Sequence, residues 1–319
     1  MQPEEQRLSL LVSLARAYYE QGLTQEEIAR TLPISRSQVS RYLSEARELG
    51  IVQFRIVDPT ARVDDLAEQL RLRFPMLKAA VVVPVFSQDA EVARRMVGMA
   101  CATYLRQVVH PGQCLCIGYG RTVRSAIEAL KSHPVPSLSI VQAMGNLGHE
   151  ALNIDFNTLA RAAADAFGAH VYYVNAPAIL GSGTAAEWEA ANISIRESLE
   201  RARFADIYLV SVGSLEREQV YTRTGLISHA DIERLRAQHV VGDICARFYD
   251  ARGHEVPTPF SNRIVGIALS DLKRANLSIG VVGGVEKALP LRGALLGRWL
   301  NVVITDEHTA RAVLNMDNQ

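Results

Sequence analysis

From residue 79 onward, short β-rich segments alternate with helical stretches, and each of these segments is apolar on both faces. The segments are VVVPV (81–85), CLCIGYG (114–120), LSIVQAMG (138–145), HVYYVNAP (170–177), IYLVSVG (207–213), LSIGVVGG (277–284) and NVVITD (301–306). Strands that are apolar on both faces and separated by helices are typical of a mostly parallel sheet covered on two sides. The sequence therefore predicts an α/β, Rossmann-like domain.

The length and composition of the chain predict more than one domain. A chain of 319 residues with 48% apolar and 21% charged residues is typical of a globular protein with large buried cores. We predict two domains, residues 1–58 and 59–319. The first ten residues lack the basic and apolar stretches of a secretory signal, and no apolar run approaches the ~18 residues that span a bilayer. These features predict a cytoplasmic protein with no membrane partner.

Three helices are predicted in the first fifty residues. Apolar side chains recur at helical spacing over residues 8–18. The motif TQEE begins a second helix at Thr24 and the motif SRSQ begins a third at Ser35, because each hydroxyl and the residue three positions later can cap one another's backbone N–H groups. Pro33 separates these helices, and Gly50 ends the third. Two capped helices joined by a short turn predict a helix-turn-helix.

The start of the third helix is rich in hydrogen-bond donors. These are Ser35, Arg36, Ser37, Gln38, Ser40 and Arg41. Over residues 35–47 three arginines stand against one acid, Glu45, although the whole chain has a formal net charge of zero. Such side chains at the N-terminal end of a recognition helix can reach base edges and phosphates together. We predict that these six residues bind DNA; a three-helix bundle that binds protein is the alternative.

Two further segments follow the third helix. Residues 51–57, IVQFRIV, alternate in polarity as a strand does and stop at Asp58-Pro59. The apolar spacing over residues 62–73 predicts a short amphipathic helix. We interpret this helix either as a linker or as a contact between subunits.

The cysteines and histidines do not form a pattern typical of metal binding. The four cysteines contain no C-x-x-C pair, and those in the apolar segment CLCIG are predicted to be buried strand residues. We interpret His149, His229 and His254 as surface or loop residues. We expect no metal ion.

The loop GYGRT joins a predicted strand to a predicted helix. Ligands of such sheets lie beyond the carboxyl ends of the strands, where free N–H groups at helix N-termini attract anions. Gly118 and Gly120 allow close approach of the backbone, and Arg121 and Thr122 supply donors for a phosphate. The third glycine of the dinucleotide motif is absent, and no P-loop occurs, so NAD and nucleotides are not expected. A plain glycine turn is the alternative.

Similar loops follow three other predicted strands, at residues 142–145, 212–214 and 283–287. The last is GGVEK, in which paired glycines bring Lys287 into the first turn of the next helix. There its ammonium can meet an anion or a carbonyl. A solvated lysine that forms local ion pairs is the alternative.

Taken together, these segments resemble the SorC-type family of bacterial sugar-responsive regulators, which is related to the deoxyribonucleoside and central-glycolytic-gene repressors. The resemblance covers nearly the whole chain and follows the family's order. Its landmarks are LTQEEIARTLPISRSQVSRYLSEARELGIV near the N-terminus, then GYGRT, VQAMGNLG, APAIL, VSVGSL, TGLIS, VGDICARFYD and VGGVEKALPLRGALLGRWLNVVITDEHTA.

The resemblance implies an effector domain similar to sugar-phosphate isomerases, usually without their catalysis, that binds a phosphorylated sugar and controls DNA binding by a dimer or tetramer. It assigns effector-binding roles to eight residues. Of these, Gly118, Gly120, Arg121 and Thr122 would hold the phosphate or sugar hydroxyls, Gln142 and Gly145 would line the pocket, Asp243 would accept sugar hydroxyls, and Lys287 would reach the ligand. This chain has Tyr119 and Arg121 where some relatives have smaller residues, which leaves an unphosphorylated polyol open.

We therefore expect a transcription regulator whose partners are operator DNA, a sugar, sugar phosphate or polyol effector, and further copies of the chain in a homodimer or homotetramer. No cofactor is expected. The main alternative is a sugar-phosphate isomerase or aldolase-like enzyme, because Lys287 could form a Schiff base and Asp243 could transfer protons. The helix-turn-helix in the same chain argues against that alternative.

Overall fold

The computed structural model describes residues 3–52, 63–85, 89–148, 155–215 and 220–316. The chain divides into two compact units, residues 1–58 and 59–319. Among the described residues, no helix combines the length and the apolarity that crossing a bilayer requires.

The first unit contains α1 (Pro3–Tyr19), α2 (Gln25–Thr31) and α3 (Arg36–Glu48). Both predicted capping boxes are present. Thr24 Oγ1 accepts a hydrogen bond from the Glu27 N–H at 3.2 Å, and the Glu27 carboxylate accepts one from the Thr24 N–H at 2.8 Å. Ser35 and Gln38 make the same exchange at the start of α3. These local bonds position the two helix starts and confirm the predicted helices.

The three helices enclose an apolar core. Its buried centre consists of Leu14, Ile28, Val39 and Leu43, one or two residues from each helix. A second cluster on α1 and α3 includes Leu11 and Ala46. The helical spacing of these residues explains why the helices pack together, since each places its apolar stripe on the same interior. Residues 53–57 of the predicted strand 51–57 lie outside the described residues, and residues 51–52 form a bend rather than a strand.

The second unit is an α/β domain. Its strands are β1 (Ala79–Val83), β2 (Cys114–Ile117), β3 (Ser139–Gln142), β4 (His170–Tyr172), β5 (Ile207–Val210), β6 (Gly213–Ser214), β7 (Val240–Ile244), β8 (Arg247–Asp250), β9 (Leu277–Val282) and β10 (Val302–Asp306). Its helices are α4 (Asp64–Arg73), α5 (Ala90–Val108), α6 (Arg121–Glu128), α7 (Phe156–Phe167), α8 (Ala185–Ala191), α9 (Ile193–Arg203), α10 (Val220–Arg223), α11 (His229–Ala237), α12 (Leu269–Arg274), α13 (Ala288–Leu296) and α14 (Glu307–Asn315), with 3-10 turns at Ser261–Arg263 and Val285–Lys287.

Within the described part of this unit, seven strands form one sheet in the order β1-β10-β9-β5-β2-β3-β4, and every neighbouring pair is parallel. Each of the seven apolar segments in the sequence supplies one of these strands, which confirms the Rossmann-like prediction. The central strand β5 is buried along its whole length. A parallel strand buried on both faces explains why these segments show no alternation of polarity.

The order of the strands creates a switch point between β2 and β5. From β2 the chain proceeds to β3 and β4 on one side, whereas from β5 it proceeds to β9 and β10 on the other. The loops that leave β2 and β5 therefore diverge and open a crevice at the carboxyl edge of the sheet. Ligands of open α/β sheets bind at such a crevice.

A second sheet was not predicted from the sequence. It is antiparallel, in the order β6-β7-β8, and pairs Gly213 with Asp243. The turn between β7 and β8 has Cys245 at φ 52° and Ala246 at φ 62°. Hairpin turns with two positive φ angles usually contain Asn or Gly, so this turn carries no recognisable sequence signal.

Helix α4 confirms the helix predicted over residues 62–73. Leu66, Leu70 and Phe74 are buried, and α4 packs against β1 and α14. One face of this helix therefore belongs to the core of the second unit; its role as a linker or as a contact between subunits stays a prediction.

Candidate DNA-binding helix and effector site

The structure places the six predicted DNA-binding residues at the start of α3. Ser35, Arg36, Ser37, Ser40 and Arg41 are exposed, and Gln38 is half-buried. Ser35 and Gln38 are engaged in the capping box, and the Ser35 and Ser37 hydroxyls lie 2.8 Å apart. The two arginines are thus the long, exposed donors of this surface, and the cap holds the helix start on which they stand.

Glu45, the one acidic residue within residues 35–47, forms an ion pair with Arg7 of α1. Arg7 Nε and Nη2 each donate to a Glu45 carboxylate oxygen at 2.9 Å. The hydrogen bonds from Arg7 lower the pKa of Glu45. Because Arg7 offsets the charge of Glu45, the exposed face of α3 presents arginines to an approaching phosphate backbone. Such a surface supplies the electrostatic part of DNA affinity.

The loop Gly118–Thr122 leaves β2 at the switch point. The Gly118 N–H donates to the Leu209 carbonyl of β5 at 2.8 Å, so the loop continues along its neighbour strand before it turns. A Cβ at Gly118 would lie 3.3 Å from the Cys245 sulfur, and one at Gly120 would lie 2.9 Å from the Ser211 Cβ. The two glycines therefore allow close contact with β5 and with the β7–β8 turn.

Helix α6 begins at Arg121, directly after this loop. Its cap residue Gly120 has no side chain to satisfy the N–H groups of the first turn. Thr122 is fully buried, and its Oγ1 has no hydrogen-bond partner among the described residues. A buried hydroxyl without a partner is energetically costly. The first turn of α6 is therefore a site that an oxygen-rich ligand can complete.

Lys287 lies at the end of the 3-10 turn that follows β9. The residue is 8% exposed, and its Nζ donates to Ser211 Oγ at 3.4 Å. Burial, and after it the charge of the nearby Arg121, lower the pKa of Lys287 to about 8; Arg94 also lowers this pKa, whereas Glu286 and Asp243 raise it. The alternative of a solvated lysine is therefore wrong. A buried ammonium with little opposing charge favours an anionic partner.

Asp243 lies on β7, where Gly213 of β6 faces its carboxylate. Its Oδ2 accepts hydrogen bonds from the Tyr221 hydroxyl at 2.6 Å and from the Ala246 N–H at 3.0 Å. Burial raises the pKa of Asp243, while these two bonds and the charge of Lys287 lower it. The fold thus brings Asp243 and Lys287, which are 44 positions apart (287 − 243) in the chain, into electrostatic range.

Gln142 is the last residue of β3 and Gly145 follows that strand; both have neighbours of their own. Gln142 Oε1 accepts from the Val174 N–H at 2.7 Å, and its Nε2 donates to Asn157 Oδ1 at 2.9 Å. A Cβ at Gly145 would lie 2.4 Å from the Ala176 carbonyl oxygen. These contacts join the end of β3 to α7 and to the chain that follows β4. The role of Gln142 and Gly145 in an effector pocket stays a prediction.

Three residues near Lys287 and Asp243 were not identified from the sequence. Ser211 is the first residue after β5, a position where a polar side chain after an apolar strand is a usable signal. Tyr221 and Arg94 carry no such signal, because they reach the site from helices that are distant in the sequence. Of the histidines, His229 and His254 are exposed, and His149 lies outside the described residues.

Comparisons with known proteins cover both units of the chain. A family model described as “Putative sugar-binding domain” matches residues 58–315, and one described as “Sigma-70, region 4” matches residues 6–48. The chain is 32% identical over 315 residues to the deoxyribonucleoside regulator of Bacillus subtilis (strain 168), with 99% of each protein covered. It is also 32% identical over 311 residues to the sorbitol operon regulator of Klebsiella pneumoniae, covering 96% of this chain and 98% of that protein.

The crystal structure of the full-length sorbitol operon regulator SorC from Klebsiella pneumoniae is similar with a TM-score of 0.73 and 31% identity, over 96% of this chain and 98% of that chain. These relatives are named as regulators, which confirms the regulator prediction over the isomerase or aldolase alternative. Since the sugar-binding model covers most of the chain and full-length relatives exceed 30% identity, the chain belongs to the SorC-type family of DNA-binding, sugar-binding transcription regulators.

Proposed function

We propose that this regulator controls a carbohydrate catabolic operon and that its operator affinity is set by a sugar phosphate. Residues 1–58 bind the operator, and residues 59–319 bind the effector and join copies of the chain into a homodimer or homotetramer. The names of relatives that regulate sorbitol and deoxyribonucleoside genes support the carbohydrate assignment. Because a bacterial regulator meets its operator DNA in the cytoplasm, we place the protein there.

The observation that carries the proposal is the crevice at the switch point. Here the first turn of α6 has no side-chain cap and the Thr122 hydroxyl has no partner among the described residues, and both, with the buried Lys287 ammonium, offer donors to an anion. Asp243 is an acceptor of the kind that sugar hydroxyls need. Donors and an acceptor at the carboxyl edge of one sheet suit a ligand with a phosphate at one end and hydroxyls at the other.

On the DNA side, Arg36, Ser37, Ser40 and Arg41 are the residues that we assign to operator contacts, with Ser35 and Gln38 holding the helix start. Effector and operator are linked because the effector changes the spacing of recognition helices between subunits. A coupling of about 1–3 kcal/mol corresponds to a change in operator affinity of about 5–150-fold.

The first test is a thermal-shift screen of the full chain against sugar phosphates, free sugars and polyols. A ligand at about 100 times its dissociation constant contributes about 2.7 kcal/mol to the native state and raises the melting temperature. A sugar phosphate that stabilises the protein and changes its affinity for DNA selected from a random pool supports the proposal. Stabilisation by a free polyol alone removes the phosphate assignment, and a ligand with no effect on DNA binding removes the linkage.

Paired variants separate the two sites. We expect Arg36→Ala to weaken binding of the selected DNA and to leave the ligand-induced melting shift unchanged. We expect Lys287→Ala to reduce the ligand-induced melting shift and to leave binding of the selected DNA unchanged. Arg16→Ala, which removes an exposed arginine from α1, is the matched control for Arg36→Ala. Equal loss of both activities in a folded variant would contradict the division of function between the two units.

A further inference from the structure

Arg94 is a buried arginine on α5, outside every motif of the sequence. The residue is 5% exposed. A Cβ at Gly283, in the glycine pair after β9, would lie 3.2 Å from the Arg94 Cα. The start of α5 therefore packs against the segment that leads to Lys287. A charged side chain buried at this position requires a polar partner there.

The packing of α5 against α6 places Arg94 beside Arg121. A Cβ at Gly98 would lie 2.6–2.7 Å from the Ser125 carbonyl carbon and Cβ, so the two helices touch at these residues. Both helices follow parallel strands and run in the same general direction. Arg94 and Arg121 lie one turn before Gly98 and Ser125, and thus on the same side of the contact. The charge of Arg121 also acts on Glu91, the partner of Arg94.

The guanidinium of Arg94 is only partly satisfied. Its Nε and Nη2 donate to Glu91 Oε2 at 3.2 Å and 2.5 Å. Its Nη1 is buried and has no hydrogen-bond partner among the described residues. Leaving a charged donor buried without an acceptor is more costly than leaving a neutral one. The fork of the guanidinium is suited to one further oxygen acceptor, since its donors lie in a fixed plane.

The surroundings of Arg94 favour an anion as that acceptor. The positive charges of Arg94 and Arg121 both lower the pKa of Lys287. Glu286 and Asp243 oppose this effect only in part. Arg94, Arg121 and Lys287 are therefore three cations that lie close to one another. Glu91 already bonds to Arg94 and lies 3.8 Å from Arg95. Glu91, Glu286 and Asp243 thus leave Arg94 Nη1 without an acceptor among the described residues, and an anionic ligand oxygen suits that buried donor.

We propose that Arg94 Nη1 binds a phosphoryl oxygen of the effector, which makes Arg94 a residue that selects phosphorylated over neutral effectors in this chain. The proposal rests on the function proposed above. Helix α5 thereby contributes a donor from beside the glycine pair that follows β9. Phosphate has several equivalent oxygens, so Arg94, Lys287 and the first turn of α6 can each bind a different one.

The test measures binding of inorganic phosphate to the full-length protein by thermal shift at constant ionic strength. The variants are Arg94→Gln, Arg94→Lys and the control Arg95→Gln, which removes the same charge from an exposed side chain one residue away. We expect the dissociation constant of phosphate to rise tenfold or more in Arg94→Gln and to stay within twofold of wild type in Arg95→Gln. Binding of the selected DNA should be unchanged in all three.

Arg94→Lys covers the case in which Arg94→Gln does not fold. Lysine keeps the charge opposite Glu91 but has a single nitrogen, so it lacks the separate donor that Nη1 provides. We expect weaker phosphate binding by at least severalfold with a near wild-type melting temperature. Phosphate binding like that of wild type in Arg94→Lys, an equal loss in Arg95→Gln, or no phosphate binding by wild type would each overturn the proposal. A wild-type protein that responds to a neutral polyol and not to phosphate would leave the effector-controlled, DNA-binding regulator intact but would remove the phosphate assignment together with the role of Arg94.

Discussion

Replacing Lys287 by Met should change how stability depends on pH. Met has a similar length and no charge, so the variant removes the buried ammonium and a weak 3.4 Å bond to Ser211. The pKa of Lys287 is about 8 in the folded protein, against about 10.4 for an exposed lysine. At about 1.36 kcal/mol for each pKa unit, burial of the charged form costs about 3 kcal/mol.

The direction of this pH dependence follows from the number of protons that the folded and the unfolded states bind. Between pH 8 and about 10.4 the unfolded chain holds a proton on Lys287 that the folded protein has released, so this residue makes stability rise with pH. Below pH 8 Lys287 is protonated in both the folded and the unfolded state, so the folded protein bears the full cost of burying the ammonium. Buried groups such as Cys245 and Tyr221 have raised pKa values and act in the opposite direction. The quantity to follow with pH is therefore the difference in free energy of unfolding between wild type and Lys287→Met.

Urea unfolding of wild type and Lys287→Met at several pH values from 7 to 10.5 gives that difference. We expect the stability of the variant relative to wild type to fall by about 3 kcal/mol across this range. Lys273→Met is the control, because Lys273 lies over the Trp299 ring 3.9 Å from its centroid and outside the crevice. Parallel pH curves for wild type and Lys287→Met would refute the reasoning.

Three further predictions concern other parts of the molecule. An anionic effector should bind more weakly above pH 8, where Lys287 loses its charge, and calorimetric titrations at pH 7 and 9 will show whether affinity falls. Ser35→Ala should destabilise the first unit by about 1 kcal/mol through loss of the α3 cap, measured by urea unfolding against Ser40→Ala. Ala246→Gly should stabilise the second unit by about 1 kcal/mol, because glycine adopts the φ of 62° without strain; a lower unfolding midpoint would contradict this.

Local patterns predicted the helix starts and the large sheet correctly. The capping boxes at Thr24 and Ser35 depend on residues three positions apart, so they are visible in the sequence and form as expected. The apolar segments that form the parallel strands were also recognisable, although most of the predicted ranges extended beyond the ends of the strands. The segment 138–145 forms a strand only over 139–142, because its last residues turn to contact Val265 and Ala176.

The small antiparallel sheet could not be predicted in the same way. Strand β6 has two residues, and β7 joins β8 through Cys245 and Ala246, which are not turn-forming residues at positive φ. Only the surrounding contacts hold this turn, including the hydrogen bond from the Ala246 N–H to Asp243. Residues that act through such distant contacts have no local signature.

The sequence by itself determined the helix-turn-helix, the order of the parallel strands along the chain and the glycine loop before α6, because these depend on short-range spacing and on the burial of apolar segments. Only the tertiary structure decided which charged groups meet. It paired Glu45 with Arg7, buried Lys287 beside Ser211, and buried Arg94 against the glycine pair that follows β9. The physical reason is that burial and electrostatic interaction depend on distance in space, which strand order and helix packing set.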